Sequence, residues 1–144
     1  MRHIPIFSIL LFFAFLGCNK NKYKTVPSLK YKSVNTTELH RGETLKFTLS
    51  FTDAEGDLSD SLTVKKVVSP CPSGFNGSFV QPYKLPEFPS GKNQQGDIIV
   101  QFDYNDINPK CLARNDTAVF KFVLKDKAQN KSDTAVSDPI VIVQ

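Results

Sequence analysis

Residues 44–52 read TLKFTLSFT, and this stretch decides the fold class. Its apolar residues, Leu45, Phe47, Leu49 and Phe51, alternate strictly with polar ones. A period of two places the apolar side chains on one face of a β-strand and the polar ones on the other. We therefore predict a strand with one face in a core and one face in water.

The same alternation recurs along the chain, and no segment shows a sustained helical period. Ala118, Phe120, Phe122 and Leu124 repeat it most clearly. Turn signals separate the predicted strands, which cover residues 29–34, 44–52, 62–68, 79–83, 98–104, 118–125 and 136–143. About seven short strands in a chain of this length predict an all-β fold built as a single β-sandwich.

Charge is distributed unevenly along the 144 residues. Six of the 18 basic residues lie in the first 32 positions, where none of the 14 acidic residues lies. The remaining chain is slightly acidic, with 12 basic residues against 14 acidic ones. A nucleic-acid-binding domain needs a basic folded body, so we expect no nucleic-acid partner.

The N-terminus is interpreted as a signal peptide. Arg2 makes its start basic, and residues 4–15 are apolar at all but two positions. About a dozen apolar residues match a signal-peptide core and are too few to span a bilayer. The run ends in residues 15–18, FLGC, which resemble the Leu-small-Gly-Cys cleavage site of bacterial lipoproteins.

That resemblance implies removal of residues 1–17, acylation of Cys18 with chains such as palmitate, and anchoring in a membrane. An ordinary cleaved signal peptide is the alternative. Residues 18–28 are then a basic, flexible tether, which either meets anionic head groups or is a solvated linker. No acidic cluster follows Cys18 directly. We therefore expect the protein in the bacterial cell envelope, on the outer membrane and facing the periplasm.

Two segments carry a resemblance to immunoglobulin-like or cadherin-like domains of bacterial lipoproteins. They are residues 51–57, FTDAEGD, and residues 122–130, FVLKDKAQN. The resemblance covers residues 29–144 and implies an immunoglobulin-like β-sandwich. In such a sandwich the loops after residues 52 and 125 lie at one end, and those after residues 68 and 104 lie at the other. Bacterial modules of this kind are usually adhesive, spacer or accessory parts.

The first of these ends gathers acidic residues. It is expected to hold Asp53, Glu55, Asp57 and Asp126, with Asp60 and Asp133 near them. Hard oxygen ligands from two loops suit Ca²⁺, which takes six to eight oxygens. Calcium is therefore the candidate cofactor, and a solvated acidic turn is the alternative.

The second end gathers Cys71 and Cys111. With Cys18 acylated these are the two remaining thiols, in an oxidising compartment, and we predict a disulfide between them. Free thiols or a metal pair are the alternatives. We also expect four aromatic residues at this end, where they either bind a glycan or a protein partner or cap the core: Phe75, Phe79, Tyr83 and Phe88.

Three tripeptides resemble the Asp-Ser/Thr-apolar acceptor of bacterial protein O-glycosylation. Their acceptor residues are Ser61, Thr117 and Thr134. Each tripeptide adjoins the start of a predicted strand, where a polar turn residue is expected in any case.

Catalysis is not expected. His40 is the one histidine beyond the signal peptide, and no catalytic triad, phosphate loop or zinc motif can be assembled. The sequence favours a monomeric, membrane-anchored, non-catalytic binding or structural module with an envelope protein or glycan as partner. A glycan-binding accessory protein of a nutrient-uptake system is the alternative, and a divergent hydrolase is a third interpretation.

Overall fold

The computed structural model describes residues 24–58, 60–71, 74, 76–89, 91–109 and 114–144. The predicted signal peptide, Cys18 and most of the tether lie outside the described residues. No helix in the part described is long and apolar enough to cross a membrane.

The described chain is all-β apart from one short helix, which confirms the predicted fold class. Its elements, in chain order, are β1 Ser28–Val34, β2 Glu38–Leu39, β3 Thr44–Asp53, β4 Ser61–Val68, β5 Phe79–Lys84, β6 Gln94–Asp103, α1 Tyr104–Ile107, β7 Asp116–Lys125, β8 Ala135–Val136 and β9 Ile140–Ile142.

These strands form two sheets. One has the order β1-β3-β6, and the other has the order β2-β9-β7-β4-β5, with β8 also paired to β7. All pairings are antiparallel except that of β2 with β9. The two sheets contact each other through Phe47, whose ring centroid lies 4.8 Å from that of Phe120 and 5.2 Å from that of Phe122.

The core follows the period-two pattern of the two longest central strands. All four apolar residues of residues 44–52 are buried, and so are the alternating residues Ala118, Phe120, Phe122 and Leu124. Lys66 shares the inward face of β4 with Leu62 and Val64 and is only 1% exposed. Its ammonium group donates a hydrogen bond to the carbonyl oxygen of Ile107 at 2.8 Å, so the short helix supplies an acceptor for a charge inside the core.

The structure corrects two strand boundaries. Tyr104, predicted to end a strand, is the first residue of α1. The predicted last strand, residues 136–143, is two short strands separated by Ser137, Asp138 and Pro139. The hydroxyl of Ser137 accepts the N–H of Phe120 at 3.0 Å, and proline has no N–H to donate to the ladder.

Candidate metal site at the junction of two loops

The candidate site begins at Asp53, the last residue of β3. Its Oδ2 accepts hydrogen bonds from the backbone N–H groups of Gly56, at 2.6 Å, and Asp57, at 3.2 Å. An aspartate that binds its own backbone a few residues further on closes a tight turn. This folds the chain through Asp57 around the Asp53 carboxylate. Residues 54–60, between β3 and β4, are here called the first loop.

Gly56 lets the first loop approach a neighbouring segment. Its φ is +75°, and a Cβ built on it would lie 1.9 Å from the carbonyl oxygen of Gly91. Only glycine satisfies both the positive φ and this contact. The backbone at Gly56 is therefore held between Asp53 and Gly91.

The second loop, residues 126–134, brings Asp126 to the same place. Its two carboxylate oxygens accept hydrogen bonds from Asn130, one from the backbone N–H at 2.7 Å and one from the side-chain amide at 2.9 Å. The loops are also joined directly. Lys127 donates its backbone N–H to the carbonyl oxygen of Asp57 at 3.0 Å, and Ala128 donates to the Asp57 carboxylate at 3.2 Å.

The carboxylates of Asp53, Asp57 and Asp126 converge as a result. One oxygen from each lies within 4.8 Å of the others, and Asp53 and Asp126 are fully buried. Oδ1 of Asp53 and Oδ1 of Asp57 are buried and accept no hydrogen bond from the described residues. The ion pairs described are Lys32–Asp97 and Lys125–Asp60, so neither supplies a cation to these three groups.

This arrangement is electrostatically unfavourable by itself. Burial has the largest effect on the pKa of Asp53 and raises it. The N–H groups of Gly56 and Asp57 lower this pKa, and the charges of Asp57 and Asp126 raise it. A buried carboxylate without a counter-charge is costly, and neighbouring carboxylates add repulsion. A divalent cation among the three would remove both costs.

The spacing of the oxygens suits Ca²⁺. Calcium–oxygen distances are about 2.3–2.6 Å, so two ligands on opposite sides of one ion lie about 4.6–5.2 Å apart. The separations within 4.8 Å are compatible with that span. Three carboxylates leave room for backbone carbonyls or water to complete six to eight ligands.

Three of the four predicted ligands therefore come together, and the fourth does not. Glu55 is exposed and lies outside the cluster. Asp60 instead pairs with Lys125 at 2.8 Å, and its hydrogen bond with that ammonium group lowers the pKa of Asp60. Asp133 is exposed and is also outside the cluster.

The site adjoins the first residues of the chain that the structure describes. The carbonyl oxygen of Lys24, the first described residue, accepts the N–H of Ala54 at 3.1 Å. The carbonyl oxygen of Ala54 in turn accepts the N–H of Asn93 at 3.0 Å. The first loop is thus bound to the chain before β1 on one side and to the segment before β6 on the other.

Cys71 lies at the other end of the fold, directly after β4. It is 6% exposed. The guanidinium of Arg114 donates a hydrogen bond to the carbonyl oxygen of Pro70 at 3.1 Å, which brings the chain before β7 beside Cys71. Cys111, the predicted partner, lies outside the described residues, so the pairing itself stays a prediction.

The prediction that the aromatic residues lie at this end is wrong for two of them, Tyr83 and Phe88. β5 runs antiparallel to β4 and carries the chain from Phe79, opposite Lys66, back to Tyr83, opposite Leu62. Phe88 then lies 5.5 Å from Phe51, near the acidic end. The rings of Phe79 and Tyr83 contact Phe102 of the core, at 6.3 and 6.0 Å. These three aromatic residues pack against the core, and Phe75 lies outside the described residues.

The predicted glycosylation acceptors lie in different environments. Thr117, in β7, and Thr134, just before β8, are exposed. Ser61 is half-buried at the start of β4, with its hydroxyl 3.3 Å from a carboxylate oxygen of Asp60.

Sequence reasoning missed the residues that shape the second loop. The hydroxyl of Ser132 accepts the N–H of Leu124 at 3.0 Å and donates to the carbonyl of Asp133 at 2.8 Å. Ser137 and Asp138 repeat this pattern at Phe120, four residues before Leu124 in β7. The repeated Ser-Asp dipeptide, at residues 132–133 and 137–138, was the signal available in the sequence.

Comparisons with known proteins add a distant structural neighbour. No protein-family model and no curated protein matches the sequence. A solved structure of the Pseudomonas fluorescens alkylpurine DNA glycosylase AlkC, bound to DNA containing an abasic-site analogue, is similar over 84% of this chain at 13% identity and a TM-score of 0.47. The matched region is 31% of the glycosylase chain.

Proposed function

We propose that this protein is a cell-envelope lipoprotein whose single immunoglobulin-like β-sandwich is a non-catalytic module stabilised by calcium. The observation that carries the calcium assignment is the convergence of Asp53, Asp57 and Asp126 with buried oxygens that lack donors. The FLGC sequence at residues 15–18 supports the anchor at Cys18. Two contacting β-sheets, with both acidic loops at one end, support the immunoglobulin-like assignment.

The role of the ion in this proposal is structural. The first and second loops connect different strand pairs, and without a cation their carboxylates repel each other. Calcium would hold both loops together and, through the Ala54–Lys24 hydrogen bond, fix the direction in which the tether leaves the fold. A rigid junction would hold the module in one orientation relative to its anchor.

The proposal places the acylated Cys18 in the outer membrane, with the module in the periplasm. Mass spectrometry of the membrane fraction should find a mature N-terminus at an acylated Cys18. Any other mature N-terminus would contradict the anchor.

The calcium assignment is tested by differential scanning calorimetry of the full chain, first with a chelator and then with Ca²⁺ or Mg²⁺. We expect Ca²⁺ to raise the melting temperature more than Mg²⁺, because Mg²⁺ demands a near-ideal octahedron at about 2.0–2.1 Å. Glu55→Gln, in the same loop but outside the cluster, is the matched control and should keep the full shift. No shift with Ca²⁺, or an equal one with Mg²⁺, would refute the assignment.

A further inference from the structure

A row of four side chains crosses the outer face of the six-stranded sheet. The strand register pairs Val80 with Lys65, Lys65 with Lys121, and Lys121 with Val136. All four residues are exposed, Val80 at 62% and Val136 at 47%. Two ammonium-bearing side chains therefore lie side by side between two exposed valines. We call these four residues the sheet-face row.

The two lysines of the row repel each other. Side chains directly opposite on antiparallel strands have Cβ atoms about 5 Å apart, and like charges in that position destabilise a sheet. Within the described part of the chain neither Lys65 nor Lys121 makes an ion pair. A bound anion between the ammonium groups would turn this repulsion into attraction.

The rest of the same face has the same character. This face has two other lysines, Lys84 and Lys125. Lys125 forms an ion pair with Asp60. Among the described strands of this sheet, Glu38 on the edge strand β2 is the one acidic residue on the outer face. The valines at the remaining outward positions are Val67, Val119, Val123 and Val141.

We propose that this face of the sheet lies on an anionic phospholipid surface. Lysine side chains can lay their methylene stems along apolar groups while their ammonium groups reach phosphates. A lipid surface offers many anions in one plane, which matches charges spread over a flat sheet. The proposal rests on the proposed function in one respect, because the anchor at Cys18 supplies the proximity to the membrane.

A protein partner fits this face less well. The centres of protein–protein interfaces are enriched in arginine and aromatic residues and depleted in lysine. The outward positions of the described strands in this sheet hold neither arginine nor an aromatic residue. Lysine and valine are the commonest residues there, beside Ser61, Thr63, Thr117 and Pro82, and this composition favours a head-group layer.

The test measures the acetylation rates of individual lysines in the full chain by mass spectrometry. The chain is mixed with vesicles of phosphatidylcholine alone or with vesicles that also contain phosphatidylglycerol. Lys65 and Lys121 should react several-fold more slowly only when phosphatidylglycerol is present, and high salt should reverse this. Lys46, exposed on the outer side of the other sheet, is the internal control and should react equally in both.

The double variant Lys65→Gln/Lys121→Gln separates binding from folding. In this variant the acetylation rate of Lys84 reports docking, and the melting temperature reports folding. The docking equilibrium should weaken about 30-fold, from about 1 kcal/mol for each lysine lost near an anionic surface. The melting temperature should stay equal or rise, because the like-charged pair is gone. Lys46→Gln is the matched control and should leave docking unchanged.

Equal acetylation in the two kinds of vesicle would overturn the proposal. Equal protection by soluble polyglutamate or duplex DNA, without vesicles, would also overturn it, in favour of an acidic protein or a nucleic acid. The fraction of chain that sediments with phosphatidylcholine vesicles reports the lipid anchor alone. A missing anchor and a non-binding sheet face therefore give different results.

Discussion

Replacing Asp53 with asparagine is expected to stabilise the calcium-free protein. The amide oxygen can still accept the N–H groups of Gly56 and Asp57, which lie 2.6 and 3.2 Å from Oδ2. The substitution removes a buried negative charge beside Asp57 and Asp126 while keeping the shape of the side chain. It therefore isolates the electrostatic cost of the site from the turn that Asp53 closes.

The size of the effect follows from the geometry. Carboxylate oxygens of the three residues lie within 4.8 Å of one another. Two unit charges at that distance repel by about 3.5 kcal/mol at an effective dielectric constant of about 20. Water beside the half-buried Asp57 weakens this repulsion, so we expect a gain of about 2 kcal/mol, or about 8 °C in melting temperature.

Calcium should reverse the order of the two proteins. A ligand at about a hundred times its dissociation constant stabilises the folded state by about 2.7 kcal/mol, and the Asp53→Asn variant loses one charged ligand. Scanning calorimetry of both proteins, with chelator and with Ca²⁺, measures the crossing, and Glu55→Gln should behave as the wild type throughout. An Asp53→Asn variant that is less stable than wild type in both conditions would refute the reasoning.

Three further predictions concern pH, a glycine and a cysteine. The raised pKa of Asp53 means that this residue's contribution to stability is present below the ordinary value of 3.8 and is lost as pH rises through the raised pKa, so the calcium-free melting temperature of wild type should fall relative to that of Asp53→Asn from about pH 4 upward. Gly56→Ala should lower the free energy of unfolding by about 3 kcal/mol or more, because alanine is strained at a positive φ and its Cβ would clash with Gly91. Cys71→Ser should cost about 3–4 kcal/mol, measured by urea unfolding, if it opens a loop of about 40 residues to Cys111.

Each of these has a matched control. Gly42 also has a positive φ, of +85°, but a Cβ there would meet nothing within 4 Å, so Gly42→Ala should cost only about 1 kcal/mol. Equal costs at the two glycines would contradict the account of the first loop. A reductant should abolish the difference between Cys71→Ser and wild type, and a difference that persists would point to packing. A calcium-free melting temperature that changes with pH in the same way in wild type and in Asp53→Asn would show that Asp53 is not the destabilised group.

The elements with the clearest alternation were predictable from sequence, and side-chain partners were not. The inward faces of β3 and β7 follow from period two alone, because burial on one face requires it. Tyr104 continues the alternation of β6, yet the chain turns into α1 there, and nothing in the pattern marks the change. Lys66 on an apolar face was visible, but its acceptor, Ile107, is 41 positions away.

The candidate site shows the same division. Loop order predicted that Asp53 and Asp126 would meet, since two loops of a sandwich share an end. The same reasoning could not separate Glu55 from Asp57, because the turn closed by Asp53 decides which side chain points inward. The sheet-face row depends on the register of four strands, which the sequence does not reveal. Its lysines also lie in a part of the chain that is slightly acidic overall, so the net charge gives no sign of a basic face.

Calcium titration of the full chain by isothermal calorimetry tests the central claim most directly. We predict one bound ion for each chain, with binding lost or strongly weakened in Asp126→Asn and kept in Glu55→Gln. Asp126 is the ligand from the second loop, so its loss also tests whether the two loops share one ion. An absence of binding heat in the wild type, or an unchanged affinity in Asp126→Asn, would contradict the account.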